Sequence, residues 1–243
     1  MEKESPLSIF INSERERFGT EDNNKFAFSL SQISRYQKFT TVIFGRYEKV
    51  SEEFIANSRA KHKSFLEGTH KVNDAQMFLL DESARLSILV HLEIESFYLF
   101  AKILLDKVAH SIEFYFGPVR KRPLDSHDDL CKNLPLYAEQ KELAVSPDFL
   151  KLAAELKKDV SDYRDYEIAH EKSPRRIRGT VFYGDGKTSI ASSNLYPKEG
   201  DGQVDSKALE DLQLQIDNYI VHFIEFIKNN RGKTRLQLEP SRG

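Results

Sequence analysis

Arg164 and His170 lie in the stretch Tyr-Arg-Asp-Tyr-Glu-Ile-Ala-His at 163–170, and the question is whether they form a catalytic pair or ordinary helix surface. A guanidinium keeps its charge at physiological pH and offers a planar fork of donors to the extra negative charge on a pentacoordinate phosphate. An imidazole titrates near neutrality and can move a proton to or from a hydroxyl or a leaving oxygen. Six residues of α-helix amount to roughly 600° and ~9 Å, which leaves the two side chains about 120° apart, so they touch only if the helix ends first. A structural reading stands beside the chemical one. His170 continues the apolar line Phe149, Leu152, Leu156, Val160, Tyr163, and Arg164 with Glu167 forms a surface ion pair worth roughly a few tenths of a kcal/mol. Arg85 with His91 and Arg120 with His127 have comparable spacings, but only Arg164 is followed by a small acidic residue, Asp165.

Arg164, Asp165 and His170, with the long apolar run ESFYLFAKILLDKVAHSIEFYFG at 95–117, give residues 85–175 a resemblance to the HEPN superfamily. Its motif is an Arg, a polar residue, four to six further residues and a His. The resemblance implies a helical bundle that dimerises so that motifs from two subunits converge on one cleft. It further implies an RNA-acting protein, a metal-independent endoribonuclease with Arg164, Asp165 and His170 as catalytic residues and no cofactor. Other members of the superfamily only bind nucleotides or scaffold partners, so a non-catalytic helical interaction or scaffold protein is the alternative. Two basic runs are candidate RNA contacts, Arg175, Arg176 and Arg178 just beyond the motif and Arg120, Lys121 and Arg122 further upstream, although such runs also occur as plain solvated surface.

Other signals resolve into structure. GDGKTS at 184–189 lacks the first glycine of a phosphate-binding loop, since Val181 stands there, and β-type sequence flanks it on both sides. It reads as a hairpin turn. His62 and His70 are separated by Gly68 and have no matching carboxylates, and the Ser-His-Asp-Asp cluster at 126–129 reads as helix capping, so no metal site is expected. Cys131 is the only cysteine, which excludes an internal disulfide and fits a reducing compartment. With no His within two residues, it reads as a passive thiol.

With 36 basic and 38 acidic residues the chain has no global attraction to nucleic acid or anionic membrane, so any such partner needs a local patch. No signal peptide or membrane span is visible, and a cytoplasmic protein is expected.

The elements that must position these residues are helices. Apolar residues from Phe26 to His70 (Phe28, Ile33, Phe39, Ile43, Tyr47, Val50, Phe54, Phe65) recur at helical spacings. A second run, Asp74 to Phe116, contains no Pro or Gly, and Ala84, Ile88, Ile94, Phe97, Ala101, Leu104, Val108, Ile112 and Tyr115 mark its apolar stripe; at its length a break is expected. A connector over 117–145 holds at most one short helix capped by Ser126. Ser146-Pro147-Asp148 opens another helix, running to about His170, and Asp205 or Ser206 opens a last one with Leu209, Leu212, Ile216, Tyr219, Phe223 and Ile227 inside. The expected fold is mainly α: an up-and-down bundle of long helices with one small β-hairpin near 177–194. It comprises a loosely ordered segment 1–24, a single domain 25–230 and a mobile tail 231–243. Phe97, Tyr98, Leu99, Phe100, Ile103 and Leu104 surround the central helix, and a homodimer is expected to cover them.

Overall fold

The computed structural model describes residues 5–18, 25–67, 72–162, 164, 176–184, 187–196 and 209–236. They are mainly helical: α1 Pro6–Phe18, α2 Lys25–Glu67, α3 Asp74–Phe116, α4 His127–Lys141, α5 Pro147–Leu156 and α6 Leu209–Asn229. Strands β1 (Arg176–Gly184) and β2 (Lys187–Tyr196) run antiparallel, with Arg176 opposite Tyr196 and Val181 opposite Ile190.

Helix α3 is the spine. Its 43 residues extend about 64 Å without the expected break, because nothing in the run interrupts the backbone ladder. Asn73 accepts a hydrogen bond from the Gln76 N–H at 2.9 Å and the Gln76 side chain accepts from the Asn73 N–H at 3.1 Å, a reciprocal cap. At the other end Gly117 turns the chain at φ 87°, where Arg235 Cδ would lie 3.0 Å from any added Cβ. The buried line is Leu86, Val90, Ile94, Phe97, Ala101, Leu104, Val108, Ile112 and Tyr115. Ile88 falls outside it and is 68% exposed, since it lies about 200° around the helix from both Leu86 and Val90. Phe28 and Phe65 of α2 are exposed for the same reason, being off the face that packs on α3. Arg46 of α2 reaches buried Glu93 of α3 at 2.9 Å and fastens the two long helices together.

Several expectations are corrected. Segment 1–24 contains α1, whose Leu7, Phe10, Ile11 and Phe18 are buried; the stripe is interrupted by Glu14, which hides it from a purely apolar reading. Helix α4 extends through Pro135 to Lys141 because Leu134, Tyr137 and Ala138 continue its buried face. Residues 231–236 are docked: Thr234 Oγ1 and the Arg235 N–H both donate to the Tyr115 carbonyl at 3.0 Å, and Arg235 Nε donates to the Phe114 carbonyl at 2.8 Å. Those carbonyls end α3 and have no intrahelical donors, so the tail supplies them. Of the residues expected to need a second subunit, Phe97, Tyr98 and Leu104 are buried within one chain, Phe100 packs partly on its core, and Leu99 is 43% exposed. Among the described residues no helix is long and apolar enough to cross a membrane.

Glu14 is fully buried and holds the two ends of the chain together. It accepts from Arg17 at 3.1 Å and from Arg231 at 2.7 Å, and Arg17 also donates to the Tyr115 hydroxyl at 2.9 Å. Glu14→Ala is expected to lower the unfolding free energy by about 2–3 kcal/mol in urea denaturation, below the range for a fully buried pair because both guanidinium groups reach solvent. A loss under about 0.5 kcal/mol, the size of an ordinary surface substitution, would show that the clasp does not hold the termini.

Candidate functional site

Ser146 caps α5 by accepting from the Phe149 N–H at 3.1 Å, and Pro147 follows in the first turn where its missing N–H costs nothing. The helix leaves α geometry at Lys157 and continues as a π-helical segment, Lys157–Asp162, with Arg164 in the same geometry. A wider turn brings residues five apart together, and Lys157 meets Asp162 at 2.6 Å. Arg164 is half-buried at the end of this segment. Asp165, His170 and Arg175 lie outside the described residues, and Arg176 and Arg178 stand on β1 opposite Tyr196 and Asn194.

The second basic run forms the turn between α3 and α4. Arg122 N–H donates to the Val119 carbonyl at 3.0 Å, with Lys121 in the left-handed region at φ 62°. Arg120 and Lys121 are exposed and Arg122 is half-buried, with its Nε lacking a partner.

A buried polar node adjoins the π segment, and its members come from four helices. Ser126 opens α4 by accepting from the Asp129 N–H at 3.1 Å, which turns the next residue, His127, inward. Asp106 Oδ1 on α3 accepts from the His127 N–H at 2.8 Å and from Lys102 Nζ at 2.9 Å. The His127 ring meets Tyr219 of α6 edge-on at 5.6 Å, and its Nδ1 lies 4.0 Å from Cys131 Sγ. His127 Nε2, Tyr219 Oη, Asp128 Oδ1 and Ser161 Oγ are all buried without a hydrogen-bond partner. Buried polar atoms are normally satisfied, so four on adjoining elements mark this as the polar weak point of the core.

The node's electrostatics decide its chemistry. Burial, with Lys102 and Lys157 nearby, pushes the His127 pKa down to about 3, so the ring is neutral at pH 7. Burial and then Asp128 push the Cys131 thiol up to about 12, and the S–H donates to the Ala153 carbonyl at 3.4 Å. A neutral thiol beside a neutral imidazole is a packing pair, since nucleophilic cysteines need the thiolate. Its sequence signal was the i, i+4 spacing from His127 to Cys131 on one helix face, which a search for histidines within two residues of the cysteine passes over. Among the described residues no group of three or more His, Cys, Asp and Glu side chains could hold a metal ion.

The node predicts a pH dependence of stability. Unfolded His127 titrates near 6.5 and folded His127 near 3, so between those values the unfolded chain binds the extra proton. Stability contributed by the neutral ring is therefore fully present above 6.5 and is lost as pH falls towards 3. From pH 7 to pH 5 this group alone removes about 2 kcal/mol. Urea denaturation at both values should show that loss, and His127→Gln should flatten it; an unchanged slope in the variant would assign the acid sensitivity to other groups.

Comparison of the chain with protein-family models, curated proteins and solved structures returns no match.

Proposed function

We propose that this chain is an HEPN-like RNA-acting protein, an up-and-down bundle bearing the 177–194 hairpin, that cleaves RNA without metal at a composite site in a homodimer. The observation that supports this reading is the departure of the helix carrying Arg164 into π geometry. Such widened turns carry a backbone penalty and concentrate at functional sites. In the proposed reaction the 2′-hydroxyl loses its proton to a base, His170, and its oxygen attacks the adjacent phosphorus. Arg164 faces the extra charge of the pentacoordinate state, next to Asp165, and the bond to the 5′-oxygen breaks as that oxygen takes up a proton. Arg120 and Lys121, both exposed, and Arg122, Arg175, Arg176 and Arg178 contribute phosphate contacts.

The parent should cleave single-stranded RNA in the presence of a chelator, and Arg164→Ala and His170→Ala should each reduce the rate by about a hundredfold or more. Arg85→Ala, an exposed residue paired to Glu82 at 2.6 Å, should cleave like the parent. Cleavage that persists in both motif variants, or a parent that never cleaves, would remove the enzymatic reading.

A scaffold reading draws on a different observation, the apolar line Met77, Ile88, Leu92 and Leu99 left exposed on α3. Met77 and Leu99 each stand 11 residues, about three turns, from Ile88, so an antiparallel α3 pair about a two-fold axis sets Ile88 against itself and Met77 opposite Leu99. Asp81 and Glu95 then face each other across the same seam, and added salt should tighten the dimer by screening them. Light scattering should find a dimer for the parent and a monomer for Leu92→Asp and Ile88→Asp. A monomeric parent would sink the dimer and the composite site together.

A further inference from the structure

We infer that the groove between α1 and the N-terminal half of α2 is a binding site for a small organic molecule carrying two or more phosphate charges. A cavity of about 540 Å³ opens there, within the range of small-molecule sites. Arg15 of α1 and Arg35 and Lys38 of α2 line it, and no carboxylate does.

The charge arises from helical spacing. Ser8, Asn12 and Arg15 follow one another at four and three residues on α1, and Ser31, Arg35 and Lys38 do so on α2, so each helix presents one polar stripe to the other. Packed helices ordinarily oppose apolar faces. Here the apolar residues of α1 serve the core on its other side, and two hydroxyl-rich, cationic stripes confront each other.

These cations are not used by the fold. Arg17, two residues beyond Arg15, is neutralised by Glu14, whereas among the described residues none of Arg15, Arg35 and Lys38 takes part in an ion pair. Arg35 lies over the Phe39 ring at 5.2 Å, which holds its guanidinium at the groove wall, and Ser31 commits its proton to the Ala27 carbonyl at 2.8 Å. Two guanidinium forks and one ammonium, flanked by the side chains of Ser8, Asn12 and Ser34, form a donor set for phosphate oxygens. Ile11 and Phe39 add apolar wall for an organic portion.

The confinement of this charge favours a small molecule over a nucleic-acid strand. A strand needs cations spaced along its backbone, whereas these three share one cavity. The site is independent of the chemistry proposed for Arg164.

Calorimetric titration of the full chain in chelator tests the inference with pyrophosphate, ATP, inorganic phosphate and a single-stranded RNA oligonucleotide as probes. Pyrophosphate and ATP should bind at least about tenfold more tightly than inorganic phosphate and raise Tm by mass action. Arg15→Ala and Arg35→Ala should each weaken both probes about tenfold while leaving the Tm of the unliganded protein unchanged, because both side chains are exposed. Lys132→Ala, an exposed cation on α4 away from the groove, should bind as the parent does. Absence of pyrophosphate and ATP binding at millimolar concentration, or affinity that survives both groove substitutions, would overturn the site. Oligonucleotide binding that is lost in the groove variants, with no binding of the small probes, would overturn it in favour of an RNA surface.

Discussion

The C-terminal end of α3 is the point on which the rest of the structure depends. A helix of 43 residues ends with carbonyls that its own backbone cannot satisfy, and here other elements supply their donors. The Tyr115 carbonyl takes Thr234 and the Arg235 N–H, the Phe114 carbonyl takes Arg235 Nε, and the Gly117 carbonyl takes the Tyr137 hydroxyl at 2.7 Å. The Tyr115 ring packs on Phe18, Phe26 and Phe116, while its hydroxyl accepts from Arg17, which is in turn held by Glu14. Helices α1, α2 and α4 and the tail are thereby tied to one turn of α3. Loss of any tie exposes a carbonyl or charge that another element was folded to meet, so the end of α3 should behave as a cooperative unit.

Away from that end the same helix is far less enclosed. Between residues 74 and 92 it packs mainly on α2, and buried positions such as Leu86 and Val90 alternate with Met77, Phe78, Ile88 and Leu92 in solvent. Two helices can cover one face of each other and no more. Burial is thus dense around residues 94–116 and sparse along residues 74–92, and their local stabilities should differ accordingly, with the sparser stretch opening first.

The legibility of this organisation from sequence followed the strength of the local signals. Ser126 and Ser146 cap helices where hydroxyl side chains precede periodic apolar runs, and Leu209, Leu212, Ile216, Tyr219, Phe223 and Ile227 are inside as their spacing requires. Helix α1 escaped because Glu14 sits in its buried stripe, and that position makes sense only when Arg231, 217 residues away, is brought to it beside its neighbour Arg17. Non-local compensation of this kind leaves no trace in a window of sequence. Ile88 was misassigned for a different reason: a broad apolar helix has more than one acceptable phase, and only the partner helix selects between them. Of the candidate site, the helix bearing Arg164 was legible from Ser146-Pro147-Asp148, but its change to π geometry was not, since no residue type marks an added i+5 turn. The groove of Arg15, Arg35 and Lys38 was also invisible, because its two stripes belong to helices whose packing had to be known first.

The distribution of charge then separates what the fold needs from what it leaves over. Glu14 and Glu93, the buried carboxylate residues among those described, each face a guanidinium, and the Lys102–Asp106 and Lys157–Asp162 pairs border the node where His127 stays neutral. These arrangements follow from the cost of placing an unmatched charge in a low-dielectric interior. Arg15, Arg35, Lys38, Arg120 and Lys121 answer to no such requirement, as each could be replaced by a neutral polar residue without stranding a buried partner. Among the described residues Arg15, Arg35 and Lys38 line one groove without a carboxylate among them, and Arg120 and Lys121 stand exposed in one turn. The buried charges are therefore matched because an unmatched one would destabilise the apolar core around it, whereas the exposed cations are released from that constraint.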